Sequence, residues 1–118
     1  MSGLADPGAY AQAWIDAWNR RDVEAVLEHF HEDAVFTSPL AARLGKGDFG
    51  VIRGKEELRE YWNYALSLID TLHFELTGLY AGTDTLLIAF RTHDGENRVE
   101  VLRFRDGLVI EGHGTYAV

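Results

Sequence analysis

The 118-residue chain contains no cysteine and has many more acidic than basic side chains. Without cysteine there is no disulfide, thiolate metal site, iron–sulfur cluster or cysteine nucleophile. The net charge of −8 argues against nucleic acid as a partner, because that binding needs a basic face. No apolar run is long enough to cross a bilayer, and the start, "MSGLADPG", lacks the pattern of a signal peptide. We expect a single cytoplasmic domain, residues 1–118, with no nucleic-acid or membrane partner.

The first half of the chain carries the spacing of three helices. Asp6 caps a helix that starts with Pro7, a second helix starts at Asp22, and a third follows Gly54. Their apolar stripes consist, in order, of Tyr10, Trp14, Ala17 and Trp18; of Val23, Val26, Leu27 and Phe30; and of Leu58, Tyr61, Trp62, Ala65 and Ile69. His29 and His31 fall at the predicted end of the second helix.

Two shorter features separate the second and third helices. "AVFTS", residues 34–38, predicts a short strand that ends before Pro39. The following segment, Leu40 to Arg53, contains three glycines and predicts a mobile loop with a short strand near Val51-Ile52.

The second half of the chain has the character of a β-sheet. Four runs rich in Val, Ile, Leu, Phe, Thr and Tyr are separated by the turn signals "AGTD", "DGEN" and "DG": Leu72–Tyr80, Thr85–His93, Arg98–Arg105 and Leu108–Val118. Short turns between successive strands predict an antiparallel meander. We therefore predict an α+β domain in which the helices pack on one face of a curved sheet.

The segments "WNRRDVEAVLEHFHEDAVFTSP", "GVIRGKEELREYW" and "VEVLRFRDGLVIEG" combine a helix pair, F-x-x-D-A-x-F, a glycine before the last helix and F-x-D-G before the last strand. This combination resembles the nuclear transport factor 2-like superfamily, with its SnoaL-like and ketosteroid-isomerase-like members. The resemblance implies a cone in which three N-terminal helices pack on a strongly curved, mainly antiparallel sheet, with a pocket between them and homodimers as a common state. It leaves the chemistry open.

The isomerase branch provides a residue-by-residue comparison. Its mechanism uses an aspartate base, with a tyrosine and a protonated aspartic acid as hydrogen-bond donors. The corresponding positions here hold Ser38, Trp14 and Glu100. Serine does not accept a proton near neutral pH, and tryptophan retains only an N–H donor. The resemblance therefore implies that isomerase-type proton abstraction is absent and leaves Glu100 as the candidate catalytic residue.

Glu100 alternates along its strand with Leu102 and Phe104, which predicts that it shares their inward face. A carboxyl group there either finds a partner or has a raised pKa and becomes a hydrogen-bond donor. The alternatives are a structural ion pair with Arg91 or Arg98, or exposure in a different register.

The last strand carries the sequence "VIEGHGTY". SnoaL-like cyclases hold a histidine and an aspartate two residues apart on the pocket face of this strand, and those positions fall on Gly112 and Gly114. The resemblance thus implies that this acid–base pair is absent and that both glycines lie in the pocket. It also implies that His113 and Glu111 lie on the outer face. His113 becomes a catalyst only if a bulge re-aims it.

An apolar pocket is the expected binding site for a small molecule. Its candidate residues are Trp14, Trp18, Phe36, Ser38, Trp62, Phe90, Gly112, Gly114 and Tyr116. Each aromatic member can equally belong to the core. The loop at 40–53 is either a lid, with Arg43, Lys46 or Arg53 at the rim, or an ordinary surface loop. No metal-binding or phosphate-binding motif occurs, so we predict no metal and no cofactor.

Two functions remain open at this point. The first is binding of a small apolar molecule, with or without acid-assisted isomerisation, cyclisation or hydrolysis by Glu100. The second is a non-catalytic dimerisation or protein-interaction module that uses the outer sheet face: Val99, Val101, Arg103, Glu111, His113 and Thr115. A homodimer is expected under both.

Overall fold

The computed structural model of the protein describes residues 5–118. The first four residues, on which part of the interpretation of the chain's start rests, lie outside that range. The elements, in chain order, are α1 Pro7–Asn19, α2 Val23–Leu27, β1 Phe30–Thr37, α3 Pro39–Arg43, β2 Val51–Arg53, α4 Lys55–Ser67, β3 Glu75–Ala81, β4 Thr85–Arg91, β5 Asn97–Arg105 and β6 Leu108–Tyr116. In this range no helix is long and apolar enough to cross a membrane.

The helix starts follow from local capping. The side chain of Asp6 accepts a hydrogen bond from the Ala9 N–H at 3.0 Å, and Asp22 caps α2 in the same way. Each carboxylate satisfies a backbone donor that the first helical turn leaves without a partner. Gly54 precedes α4 with φ at 87°, a conformation that side chains disfavour, and its N–H donates to the carbonyl of Ala34.

The six strands form one open sheet with the order β2-β1-β6-β5-β4-β3. The last four strands form the predicted antiparallel meander, and β1 pairs with β6 in parallel. The core lies between the inner face of the sheet and helices α1 and α4, which bury their predicted stripes against it. The predicted α+β fold with a mainly antiparallel sheet is confirmed.

Three local predictions are corrected. The segment 40–53 is not only a loop, because Ser38 caps and Pro39 starts the five-residue helix α3, which makes four helices rather than three. The first strand begins at Phe30, earlier than "AVFTS" indicates. Since α2 ends at Leu27, His29 lies in a turn and His31 in β1, and neither is at a helix end.

The end of α1 is fixed to the start of the sheet by a reciprocal contact. The side-chain amide of Asn19 donates to the carbonyl of Phe74 at 2.9 Å, and its oxygen accepts from the Phe74 N–H at 2.7 Å. The helix and the segment that leads into β3 therefore keep a fixed relation, which holds Phe74 against the aromatic residues of α1.

Candidate functional site

The ladder between β5 and β6 places Glu100 on the inner face of the sheet. Glu100 pairs with Gly114 on one side and with Ile88 of β4 on the other. It is 7% exposed, and Leu102 and Phe104, two and four residues further along, are also buried. The alternation predicted from the sequence is present, and the alternative of an exposed register is wrong.

The carboxyl group of Glu100 has no ion-pair partner among the two arginines considered from the sequence. Arg91 lies 3.6 Å from a carboxylate oxygen of Glu75, and Arg98 pairs with Glu96 at 2.8 Å. Burial raises the pKa of Glu100 from 4.5 to about 8, and the charge of Arg98 opposes this only in part. At neutral pH the group is therefore mainly a neutral acid that can donate a hydrogen bond.

A cavity of about 100 Å³ lies between the inner sheet face and helices α1 and α4. Its wall includes nearly all of the residues predicted from the sequence: Trp14, Trp18, Phe36, Ser38, Trp62, Phe90, Glu100, Gly114 and Tyr116. Most of these side chains are buried. The wall residues Arg98, Thr115 and Tyr116, which lie together where β5 pairs with the end of β6, are partly or fully exposed. We call this end the cavity mouth.

The aromatic side chains of the wall also pack against one another. The ring of Trp18 meets that of Trp62 edge to face at 5.1 Å between centroids, and Phe36 meets Trp62 at 5.3 Å. Such pairs stabilise a core beyond their buried area. These residues therefore belong both to the core and to the cavity wall.

Two of the indole N–H groups have no hydrogen-bond partner. The Nε1 atoms of Trp14 and Trp18 are buried, and no acceptor within residues 5–118 bonds to them. An unsatisfied buried donor costs about 1–3 kcal/mol. Each of these nitrogens has less than 1 Å² of accessible surface, so the two N–H groups lie behind the cavity wall and do not face the cavity.

Ser38 has structural contacts as well as a place in the cavity wall. Its Oγ accepts from the Ala41 N–H at 3.2 Å and shares a hydrogen bond of 3.0 Å with the hydroxyl of Tyr61. The first contact caps α3 and the second ties that helix to α4. Burial raises the pKa of Tyr61, so this hydroxyl is neutral as well.

The two glycines of β6 have different surroundings. A β-carbon at Gly112 would lie 2.9 Å from the Phe36 ring and 3.2 Å from Leu102, whereas at Gly114 it would meet ordinary contacts at 3.7 Å or more. Gly114 lines the cavity and Gly112 does not. The interpretation of Gly112 as a pocket position is corrected, because the side chain of Phe36 fills the space it leaves.

The basic residues of the 40–53 segment lie in three different places. The Arg43 guanidinium lies over the ring of Tyr116 at 5.3 Å, beside the cavity mouth. Lys46 lies over Tyr64 of α4 at 4.2 Å, and Arg53 is exposed on β2. Only Arg43 of the three is therefore placed near the cavity mouth.

His113 lies on the outer face of the sheet, across the ladder from Val101. Its Nδ1 shares a hydrogen bond of 2.6 Å with Thr37 Oγ1, and its Nε2 lies 2.7 Å from a carboxylate oxygen of Glu111. Arg103 donates to the other oxygen of Glu111 at 3.0 Å. The pairing of β5 and β6 is regular up to Arg103, so the bulge beyond it does not turn His113 toward the cavity.

Sequence reasoning did not assign nine of the wall residues to the site, among them Tyr61, Phe74 and Arg98. Arg98 carried a usable signal, since it precedes Glu100 by two residues and therefore shares its face. Tyr61 belonged to a predicted apolar stripe. Phe74 lies in the predicted strand Leu72–Tyr80, where it alternates with Leu72 and Leu76, and the structure places it just before β3.

The four helices, the open curved sheet and the cavity between them define a nuclear transport factor 2-like cone. The sequence model of one protein family, the SnoaL-like domain, matches residues 11–112 of this chain. The chain belongs to the SnoaL-like domain family.

Solved structures agree with this assignment. A SnoaL-like protein of unknown function from Burkholderia thailandensis E264 is 35% identical, with 93% of this chain and 92% of the other covered and a TM-score of 0.86. TerC, co-crystallised with polyporic acid, is 17% identical over 95% and 92% of the two chains, with a TM-score of 0.77. A protein from Catenulispora acidiphila DSM 44928 with a ketosteroid isomerase-like fold, in complex with trimethylamine, is 16% identical over 96% and 88%, with a TM-score of 0.70. No functionally curated protein matches the chain.

Proposed function

We propose that the protein binds a small, mainly apolar molecule in the cavity and that Glu100, in its acid form, donates a hydrogen bond or a proton to it. The observation that carries this proposal is the buried Glu100 carboxyl group on the wall of an aromatic cavity, with neither Arg91 nor Arg98 paired to it. A group that is costly to bury and has no structural partner is a candidate for function.

The chemistry of the wall supports a ligand with oxygen acceptors. Tryptophan and phenylalanine rings cover an apolar body, while the acid form of Glu100 offers a donor. The volume of about 100 Å³ is smaller than the roughly 150 Å³ of a dry cavity that binds benzene, so a single-ring compound would extend from the cavity into its mouth. An acid with a pKa of about 8 is also suited to proton donation near neutral pH. Acid-assisted isomerisation, cyclisation or hydrolysis are the reactions that this donor can serve.

Two structural neighbours lend further support. TerC was co-crystallised with polyporic acid, and the Catenulispora protein was solved with trimethylamine. Their low identity to this chain limits the comparison to the fold. In both structures that fold is seen together with a small organic molecule.

The three tryptophans of the protein make the proposal testable by intrinsic fluorescence. Trp14, Trp18 and Trp62 are the complete set, and all three line the cavity. Acetophenone, a single-ring ketone, should quench this fluorescence at pH 6.5 and bind more weakly at pH 9.5, where Glu100 loses its donor proton. The Glu100→Gln variant should bind at both values equally, because an amide donates at either pH.

The matched control is Glu111→Gln on the outer face, which should keep the pH dependence of the original protein. Absence of quenching at any pH would overturn binding in the cavity. The same pH dependence in Glu100→Gln would remove Glu100 from the interaction.

The second candidate function, self-association through the outer sheet face, is favoured by one row of side chains. The strand register aligns one residue from each strand on this face: Tyr80, Leu87, Val101, His113, Thr37 and Val51. Tyr80 at one end is 63% exposed. Leu87 and Val101 form an apolar part of the row, the hydrogen-bonded pair His113 and Thr37 a polar part, and the charged pair Arg103 and Glu111 flanks it.

A second copy of the chain is the proposed partner of this face, and it is compatible with a ligand in the cavity. Val101→Glu should lower the mass measured by sedimentation equilibrium from that of a dimer to that of a monomer. Asn63→Glu on α4, which adds the same charge at an exposed site, should leave the mass unchanged. A monomeric original protein would overturn the proposal.

A further inference from the structure

Two arginines from different elements converge on one aromatic ring at the cavity mouth. Arg98 of β5 lies over the ring of Tyr116 with its guanidinium carbon 4.2 Å from the centroid, and Arg43 of α3 approaches the same ring to 5.3 Å. The contacts with Tyr116 hold both guanidinium groups next to the opening of the cavity. The pair is brought together by the fold, because 55 residues separate its members.

Arg98 has capacity to bind a further anion. One of its terminal nitrogens is taken by Glu96 at 2.8 Å. Its Nε is buried, and no acceptor in the described part of the chain bonds to it. Arg98 also lines the cavity itself. The side chain is 24% exposed, and Glu96 engages only Nη2, so the other terminal nitrogen, Nη1, is open to a ligand oxygen.

The charge of the mouth differs from that of the whole protein. The chain carries a net charge of −8, yet the mouth presents the guanidinium groups of Arg43 and Arg98. Arg43 is exposed and has no carboxylate partner in an ion pair within residues 5–118. Two acidic groups lie near Arg98: Glu96, which its side chain already engages, and Glu100, which burial keeps mainly neutral at pH 7.

We propose that the ligand of the cavity is a small ring compound with a carboxylate, whose ring lies among the tryptophans and whose carboxylate binds Arg98 and Arg43 beside Tyr116. This inference rests on the proposed function and names the class of its ligand. Guanidinium groups match the planar, two-oxygen geometry of a carboxylate, which makes the charge on the ligand a determinant of specificity.

Benzoate and benzamide provide a matched pair of probes, since they have nearly the same size and differ in charge. Titration followed by tryptophan fluorescence should show that benzoate binds about tenfold more tightly than benzamide, the change expected for one charge-assisted contact. Arg43→Ala and Arg98→Lys should reduce or abolish the preference for benzoate and leave the affinity for benzamide within about twofold.

The control variant is Arg53→Ala, which removes an exposed arginine from β2 without altering the mouth. Its preference for benzoate should equal that of the original protein. An equal loss in Arg53→Ala would show that only the overall charge matters and would overturn the proposed site.

The two proposals fail in different ways. If benzamide and acetophenone bind but benzoate has no advantage, the carboxylate site is wrong and cavity binding stands. If none of the three compounds binds, both proposals are wrong. Arg43 is exposed on a surface helix, so its alanine variant tests the proposal even if Arg98→Lys does not fold.

Discussion

The Oε1 atom of Glu100 lies 3.7 Å from the position that a β-carbon would occupy at Gly114, its partner across the β5/β6 ladder. The missing side chain leaves room for the carboxyl group at the cavity wall. Two residues earlier, the same absence at Gly112 serves a different purpose, because the ring of Phe36 packs there. The two glycines thus lie on one face of one strand with separate roles.

Replacing each glycine by alanine should separate these roles. Neither residue has a positive φ, so the effect of a methyl group is steric. Gly112→Ala forces a β-carbon against Phe36 and should lower the free energy of unfolding by about 1–3 kcal/mol. Gly114→Ala meets only ordinary contacts and should change it by less than about 0.5 kcal/mol, while weakening acetophenone binding. Urea unfolding of the two variants checks this, and equal destabilisation would contradict it.

Glu100→Gln should stabilise the protein in a pH-dependent way. The folded state keeps the Glu100 proton up to about pH 8, whereas the unfolded chain releases it near pH 4.5, so stability falls as pH rises between these values. The free energy of unfolding of Glu100→Gln does not fall in this way. Its excess over that of the original protein should therefore grow by up to about 1.4 kcal/mol per pH unit between pH 4.5 and about pH 8. Burial also raises the pKa of Tyr10 and Tyr61, so neither phenol titrates there. Urea unfolding at pH 5, 6.5 and 8 measures the trend.

Glu111→Gln serves as a control, because it should lower the free energy of unfolding where Glu100→Gln raises it. Hydrogen bonds from His113 and Arg103 lower the pKa of Glu111, so its contribution to stability is present at neutral pH and is lost as the carboxylate becomes protonated in acid. The variant should be less stable than the original protein at pH 7, with the difference shrinking below pH 4. A flat difference between Glu100→Gln and the original protein from pH 5 to 8 would refute the assignment of a raised pKa to Glu100.

Phe49→Gly should stabilise the protein. Phe49 has a φ of 53° and is 94% exposed, so its ring makes little contact that could offset the left-handed backbone. A left-handed backbone costs a residue with a side chain about 1–2 kcal/mol, and glycine avoids this cost. Glycine also gives the unfolded chain more conformational entropy, which offsets part of the stabilisation. We expect a net gain of about 0.5–1 kcal/mol in thermal unfolding. Phe49→Ala keeps the β-carbon and should gain nothing, and a glycine variant no better than the alanine variant would exclude this explanation.

Arg21→Ala should destabilise the end of α4. The guanidinium group of Arg21 donates to the carbonyl of Leu66, in the last turn of α4, at 2.6 Å and to that of Ile69, just after the helix, at 2.9 Å. The last four carbonyls of a helix lack the regular partner four residues on, and the Leu66 carbonyl otherwise accepts from the Ile69 N–H. Because the group is partly exposed, we expect a loss of about 1 kcal/mol. Arg20→Ala removes only an exposed ion pair with Asp22 and should cost less than about 0.5 kcal/mol. Urea midpoints compare the two, and similar losses would disprove the capping role.

Several features could be predicted from the sequence because their causes are local. The caps at Asp6 and Asp22 satisfy backbone donors within three residues, so their effect does not depend on the rest of the fold. The alternation of Glu100 with Leu102 follows from the pleat of a single strand. These patterns gave the helix starts, the meander and the inward face of Glu100.

Features that involve distant segments were not accessible in this way. The sequence pattern gives Gly112 and Gly114 the same predicted role. Their different surroundings depend on the ring of Phe36, which lies 76 positions earlier in the chain and packs against Gly112. The helix α3 had its signal in Ser38 and Pro39, but the glycines that follow favoured a loop.

The sequence alone determined where the helices α1, α2 and α4 begin, the antiparallel meander of β3 to β6, and the inward face of Glu100. The tertiary structure decided that Arg43 and Arg98 meet at Tyr116, that Ser38 serves as a cap, and that Gly112 belongs to the core. The physical reason is the distance along the chain over which each effect acts. Capping and periodicity act over a few residues, whereas a cavity and its mouth depend on strand register and on side-chain volumes from remote parts of the chain.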